Sequence, residues 1–279
     1  MSKKQRQLWC VPGGEGKSRI AATIAAIAFM TGAVLKIYIV HEYEHLMKRD
    51  QEDFEVYWTL LGVTMEMILY KAGLDFKAEP GSLIIFDEAD TFMLKHTGKF
   101  AALIDSCFCI CLTATPDDGD AKGLLRIVVG TLQFTQFNYV LDDELANQPT
   151  LMEADIIDAP SIDGKAAKIM QQLETGPVLS FCDEELAEKL CSLMTAREED
   201  AVAAGGETSL IKMMPNTDFK LLRSLDRRPF KLIVATGEFA MRGIDYRCPQ
   251  VVMTLFIGKS FSCKVEALQG MARVGRYKD

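Results

Sequence analysis

Three short apolar runs in this chain each stop abruptly at a cluster of polar residues. Leu8–Val11 stops at Pro12-Gly13-Gly14-Glu15-Gly16-Lys17-Ser18, Ser82–Phe86 at Asp87-Glu88-Ala89-Asp90, and Cys107–Leu112 at Thr113-Ala114-Thr115-Pro116. Runs this short and this uniformly apolar fit strands covered on both faces. Segments of helical length, Lys17–Thr31 and His41 to about Leu61, follow two of the strands. Alternating strand and helix predicts a parallel sheet flanked by helices, an α/β architecture. Ligands of such sheets bind beyond the carboxyl ends of the strands, so the three polar clusters are expected to converge on one site.

The same pattern continues along the chain. Lys36–Val40 and Val63–Leu69 read as further strands. From about Val140 to Gly164 the chain is acidic and turn-rich, with Asn147-Gln148-Pro149 and Ala159-Pro160, and reads as a connection. Beyond it, Pro177–Phe181, Lys231–Ala235 and Val251–Ile257 read as strands and Asp183–Thr195 as an amphipathic helix. Glu198–Thr208, which holds Ala203-Ala204-Gly205-Gly206, reads as a loop. The chain has 279 residues. At about 100–200 residues per domain, two domains are expected. They are an N-terminal lobe over 1–139 and a C-terminal lobe over 165–279, joined by a linker over 140–164.

Composition narrows the partners. The hydrophobic share of 49% supports a sizeable core, and the formal net charge of -8 argues mildly against binding nucleic acid by charge alone. The densest basic stretches are only Lys3-Lys4-Gln5-Arg6 and Arg227-Arg228. Eight cysteines without framework spacing point to a reducing, cytoplasmic setting. Cys107, Cys109 and Cys111 would share one face of a strand, which favours a buried strand over a metal site. Ile20–Leu35 is uncharged but shorter than the roughly 20 residues of a membrane crossing. Gly32 interrupts it, so it reads as a buried helix, a glycine stop and the approach to a strand. No transmembrane segment is expected.

The polar clusters carry recognisable chemistry. In Gly13-Gly14-Glu15-Gly16-Lys17-Ser18, glycines let backbone N–H groups approach phosphates, and the next helix adds its positive N-terminus. Lys17 would reach the β- and γ-phosphates and Ser18 a Mg²⁺ ion. A chance glycine-rich turn is the plain alternative. Asp87, at a strand end, would hold the Mg²⁺ shell, and Glu88 would orient or deprotonate an attacking water. Here the alternative is an ordinary acidic loop. Order along the chain ties the two clusters together and points to ATP hydrolysis.

With these residues in view, the chain resembles the superfamily-2 DExD-box motors, the class of helicases and related translocases. Asp87-Glu88-Ala89-Asp90 matches that family's magnesium motif letter for letter. Thr113-Ala114-Thr115 resembles its coupling motif, and Gly176-Pro177-Val178-Leu179 to Cys182 the strand that opens its second lobe. Ala235-Thr236-Gly237-Glu238-Phe239-Ala240-Met241-Arg242-Gly243-Ile244-Asp245 resembles its lobe-interface motif. Gln269-Gly270-Met271-Ala272-Arg273-Val274-Gly275-Arg276 resembles its arginine-finger motif, with Ala272 where a glycine is usual. The resemblance implies two RecA-like lobes of P-loop NTPase type, with ATP and Mg²⁺ as cofactors. It implies that Gly13, Gly14, Glu15, Gly16, Lys17, Ser18, Gly243 and Asp245 contact nucleotide, and that Ser18 and Asp87 manage the metal. Glu88, Gln269, Arg273 and Arg276 would be catalytic. Thr113, Thr115, Thr236 and Arg242 would couple hydrolysis to the substrate. Read from spacing alone, Arg273 and Arg276 fit a surface-exposed basic end equally well.

Within the class, the first lobe is most similar to SecA-type protein-translocation motors. The likeness rests on Gly14-Glu15-Gly16-Lys17-Ser18 with Ala22-Thr23, on Ile37-Tyr38-Ile39-Val40 followed by Glu44, Leu46, Arg49 and Asp50, and on Gly62-Val63-Thr64. It implies an ATP-driven motor acting on unfolded polypeptide, with possible peripheral contact to a membrane or translocon. Alternatives are an RNA or DNA helicase moving on a single strand, and an inactive nucleotide-binding remnant. The SecA family's clamping and scaffold domains have no counterpart here, so a fragment, an incomplete gene model or a reduced relative is expected. His41-Glu42-Tyr43-Glu44-His45 also satisfies the zinc-protease pattern H-E-x-x-H, in which two histidines share a helix face. The SecA-like match already accounts for that segment.

Overall fold

The computed structural model describes residues 6–11, 16–69, 76–105, 107–114, 132–134, 136–139, 159–203, 210–213, 217, 230–236 and 254–257. The chain divides into two compact units, Met1–Gln148 and Pro149–Asp279. Each holds one parallel sheet.

The first unit contains β1 (Arg6–Cys10), α1 (Lys17–Met30), β2 (Ile37–His41), α2 (Glu44–Leu61), β3 (Glu66–Leu69), β4 (Leu83–Phe86), α3 (Ala89–Lys95), α4 (Thr97–Ile104), β5 (Phe108–Thr113) and β6 (Gln136–Tyr139). The strand order is β3-β2-β4-β5-β1-β6, and every pairing is parallel. Strand alternation sorts the side chains onto two faces. One face carries Leu8, Cys10, Tyr38, Val40, Ile84, Phe86, Cys107, Cys109 and Cys111, packed against Phe92 and Met93 of α3 and Phe100 and Ile104 of α4. The other carries Ile37, Ile39, Leu83, Ile85 and Leu112, packed against Ala21, Ala22 and Ala25 of α1 and Trp58 of α2. Cys109 and Cys111 of β5, and Cys107 just before it, are therefore core residues.

Some boundaries differ from the sequence reading. His41 belongs to β2, and α2 begins only at Glu44. His41 and His45 thus do not share a helix face, which removes the zinc-protease pattern. Helix α1, whose uncharged part begins at Ile20, fully buries only its alanine side, and Ile27 and Met30 stand exposed. It is a half-buried helix in which small residues let the backbone approach the sheet. Gly32 follows it in the left-handed region at φ 64, where glycine carries no steric penalty.

The second unit contains α5 (Ile162–Gln172), β7 (Val178–Phe181), α6 (Glu184–Ala203), β8 (Leu210–Met213), β9 (Leu232–Ala235) and β10 (Thr254–Ile257), with strand order β10-β7-β9-β8, all parallel. Ser161 caps α5 by accepting a 3.0 Å bond from the Gly164 N–H. Residues 162–164, read from sequence as part of the connection, are thus the first turn of a helix. Helix α6 continues to Ala203, through residues read as loop, because Ala, Glu and Arg favour helix until the glycine pair at 205–206. Ala166, Ile169, Leu186, Ala187, Leu190 and Met194 pack on Val178, Leu232 and Val234. No helix among the described residues is long and apolar enough to cross a membrane.

Candidate functional site

The carboxyl ends of β1, β2, β4 and β5 bring the polar clusters of the first unit together. Gly16 caps α1 at φ 81 and ψ 37, in the left-handed region that favours glycine. Lys17 and Ser18 open the helix, where its unpaired N–H groups and dipole favour an anion. Lys17 reaches across the strand ends and its Nζ donates to Glu88 Oε1 at 2.7 Å, with both side chains largely buried. Lysine and the acidic motif, 71 residues apart in sequence, thus lie in direct contact.

Strand β5 lies between β1 and β4 and joins the two motifs. The Thr113 carbonyl accepts from the Val11 N–H at 2.8 Å, and Thr113 Oγ1 donates to Asp90 Oδ1 at 3.0 Å. Thr113 is fully buried. Thr113 therefore touches both motifs. Glu88 itself sits at φ 51, strained backbone for a residue with a Cβ. Such strain costs on the order of 1–3 kcal/mol and persists only where packing imposes it.

The sequence reading named Arg49 and Asp50 only within a SecA-like motif and weighed His41 only in the zinc-protease pattern, and it did not place them beside Asp87. Val40 pairs with Phe86 across β2 and β4, so the next residues, His41 and Asp87, stand side by side. His41 Nδ1 lies 3.9 Å from Asp87 Oδ2, and His41 Nε2 lies 3.9 Å from Asp50 Oδ2. Arg49 donates to Asp50 Oδ1 from Nε at 2.8 Å and from Nη2 at 2.6 Å, and to Ser18 Oγ at 2.7 Å. A signal was present: His41 is a polar residue ending an otherwise apolar strand, as Asp87 follows β4. Its partners Arg49 and Asp50 come from the helix after it, and only folding turns that face of α2 toward the strand ends.

Burial governs the charges. It pushes the Asp87 carboxyl up to about 7; Glu88 and Asp50 add to the rise, and Lys17 and Arg49 oppose it. Burial also pushes His41 down to about 4, with Asp50 opposing and Arg49 adding to the fall. Asp87 Oδ1 is buried without a hydrogen-bond partner among the described residues. A buried carboxylate oxygen left this way is costly unless a cation joins it. The unpartnered Asp87 Oδ1 therefore fits a ligand of the divalent ion expected from sequence.

Of the predicted site residues, Gly16, Lys17, Ser18, Asp87, Glu88 and Thr113 lie on the first unit's strand ends. Thr236 is buried just after β9 in the second unit. Gly13, Gly14, Glu15, Thr115, Arg242, Gly243, Asp245, Gln269, Arg273 and Arg276 lie outside the described residues.

No family model matches the chain, and no curated protein matches it. Solved structures do. The chain is similar to Mss116p bound to ssRNA and AMP-PNP, at TM-score 0.67 and 13% identity, covering 99% of this chain and 65% of that one. It is also similar to the DEAD-box helicase Mss116 bound to ssRNA and UDP-BeF, at TM-score 0.65 and 14% identity, again covering 99% and 65%. The fold is RecA-like. A third likeness, to S. cerevisiae Dbp5 bound to RNA and ADP BeF3, has TM-score 0.62 and 14% identity, covering 99% of this chain and 78% of that one. The chain thus spans 65% of the length of the Mss116 structures. A RecA-like sheet places ligands at its carboxyl edge, where Lys17, Asp87 and Glu88 are found.

Proposed function

We propose that this chain is the core of an ATP-dependent superfamily-2 motor acting on single-stranded RNA. The observation that carries this reading is the 2.7 Å contact between Lys17 and Glu88 at the mouth of the sheet, beside the buried Asp87. A helix N-terminus, a lysine and two carboxylates within one strand-end cluster are what phosphoryl transfer from ATP requires. The likeness to RNA- and nucleotide-bound helicase structures favours RNA over polypeptide as the track. The SecA-type translocation reading rests on sequence motifs of the first lobe alone.

In this reading the α1 N-terminus and Lys17 bind the phosphates, together with Gly13, Gly14, Glu15 and Gly16. Lys17 exchanges its Glu88 partner for phosphate oxygens. Glu88, released from Lys17, orients the attacking water and accepts its proton. Asp87 and Ser18 would hold a divalent ion, which supplies positive charge against the developing phosphate charge. Arg49 must give up the Ser18 hydroxyl for this to happen. Thr113 links Asp90 to the β1 end and reports nucleotide state along β5, with Thr115, Thr236 and Arg242 as further coupling residues. Gly243 and Asp245 are proposed nucleotide contacts, and Gln269, Arg273 and Arg276 the groups that complete catalysis. The N-terminal lobe is assigned to 1–139, the linker to 140–164 and the second lobe to 165–279.

The test is ATP turnover measured with single-stranded RNA, single-stranded DNA and unfolded polypeptide. RNA is expected to stimulate turnover most. Stimulation by polypeptide alone would replace this proposal with the translocation reading, and nucleotide binding without turnover under every condition would leave a binding module. Glu88→Gln is expected to retain ATP binding and lose turnover; an unchanged rate would show that the base is another residue.

A further inference from the structure

The metal site around Asp87 has one feature that the magnesium motif does not need, a histidine. His41, Asp50 and Asp87 each offer one ligand atom, these atoms lie within 4.8 Å of one another, and all three residues are buried. Among the described residues, neither nitrogen of His41 has a hydrogen-bond partner, nor does Asp87 Oδ1. An imidazole this deeply enclosed with both nitrogens unsatisfied is unfavourable, unless a nitrogen lone pair serves a cation.

The geometry points to a divalent cation site formed by His41, Asp50 and Asp87 that takes a first-row transition ion such as Mn²⁺ in preference to Mg²⁺. It deepens the proposed function and rests on Asp87 being a metal ligand in that reading. Bonds of roughly 2.0–2.2 Å hold ligand atoms about 3–4 Å apart; one nitrogen of His41 and one oxygen of each carboxylate lie within 4.8 Å of one another, so binding one ion draws them together by up to about 1 Å. Magnesium favours an all-oxygen shell, whereas an imidazole nitrogen favours transition ions. Asp50 is set for this role from outside. Arg49 holds its Oδ1 with two hydrogen bonds, leaving Oδ2 toward His41. Outer groups of this kind commonly orient metal ligands. Arg49 also reaches Ser18 Oγ, which ties the orienting arginine to the helix that follows the glycine loop.

The experiment strips the full chain with EDTA and titrates Mn²⁺ and Mg²⁺ separately, without nucleotide, by calorimetry. One Mn²⁺ per chain is expected, bound about tenfold or more tighter than Mg²⁺. Pulsed EPR of the Mn²⁺ form should show coupling to a histidine nitrogen. His41→Asn should weaken Mn²⁺ about tenfold or more and leave Mg²⁺ binding nearly unchanged. Lys17→Ala should lose nucleotide binding and keep Mn²⁺, which separates this site from the motor reading. Equal affinity for the two ions, no binding of either, or no nitrogen coupling in the wild type would overturn the inference. The EPR result needs no variant, so a His41→Asn protein that failed to fold would not leave the matter open. ATP turnover with ordinary Mg²⁺ preference and no nitrogen coupling would leave the motor proposal standing and remove this one.

Discussion

At the residue scale, the candidate site is a balance of buried charges. Lys17 is held by Glu88 at 2.7 Å, so nucleotide binding must exchange one anionic partner for another. Lys17→Ala is expected to reduce nucleotide affinity beyond detection in a fluorescence titration while the circular dichroism spectrum stays native. The buried pair of His41 and Asp87 carries opposite pH dependences. His41 falls from 6.5 to about 4, so its unfolded form binds the proton better. Its contribution to stability is complete above pH 6.5 and is lost as the pH falls toward 4, a loss on the order of 3 kcal/mol. Asp87 rises from 3.8 to about 7, so its native form holds the proton better. Its contribution is complete below pH 3.8 and is lost as the pH rises through 7. In EDTA, the thermal midpoint of Asp87→Asn should therefore rise from pH 4 to 6.5, and that of His41→Asn should fall over the same range. Parallel trends in the two variants would contradict the assignment of these shifts.

At the element scale, the sheet of the first unit depends on how closely α1 approaches. Ala21, Ala22 and Ala25 are buried against Ile37, Ile39, Leu83 and Ile85. Ala25→Leu should lower stability by about 1–3 kcal/mol, read from urea unfolding, because the packed face cannot take three more heavy atoms without moving the helix. Since α1 also carries Lys17, the same variant should weaken nucleotide binding. Thr113→Val keeps the shape of β5 but removes the hydroxyl that reaches Asp90. A hydrogen bond to a charged group is worth about 1.5–3 kcal/mol, and a loss of that size is expected in the same measurement. Most elements of the first unit could be read from sequence because their runs are wholly apolar, as in Leu83–Phe86, or alternate, as in Cys107–Leu112. Gln136–Tyr139 and Leu210–Met213 could not, because each is four residues long and its strand character comes from the neighbour it pairs with. Helix α3 was also hidden, since it begins directly after Glu88 with no side-chain cap.

At the scale of the whole molecule, two units with separate cores and separate sheets make up the chain. Saturating ADP should raise the calorimetric midpoint of the unit that holds Lys17, by about 2.7 kcal/mol of added stability at a hundredfold excess over Kd. The net charge of -8 bears on the track. RNA binding should fall with added salt, but the slope should correspond to few phosphate contacts, because 31 basic side chains are outnumbered by 39 acidic ones.

The sequence by itself determined the α/β alternation, the place of Lys17 after a glycine loop, and the place of Asp87 and Glu88 after a buried strand. These follow from local pattern, since apolar runs bounded by glycine and acidic residues admit few other structures. Tertiary structure alone decided the rest of the site. His41 reads as the first residue of a helix until its strand pairs beside β4, and Arg49 and Asp50 read only as part of a family-like motif until α2 packs back on the sheet. Their proximity to Asp87 comes from strand register and helix docking, long-range contacts that no local pattern encodes.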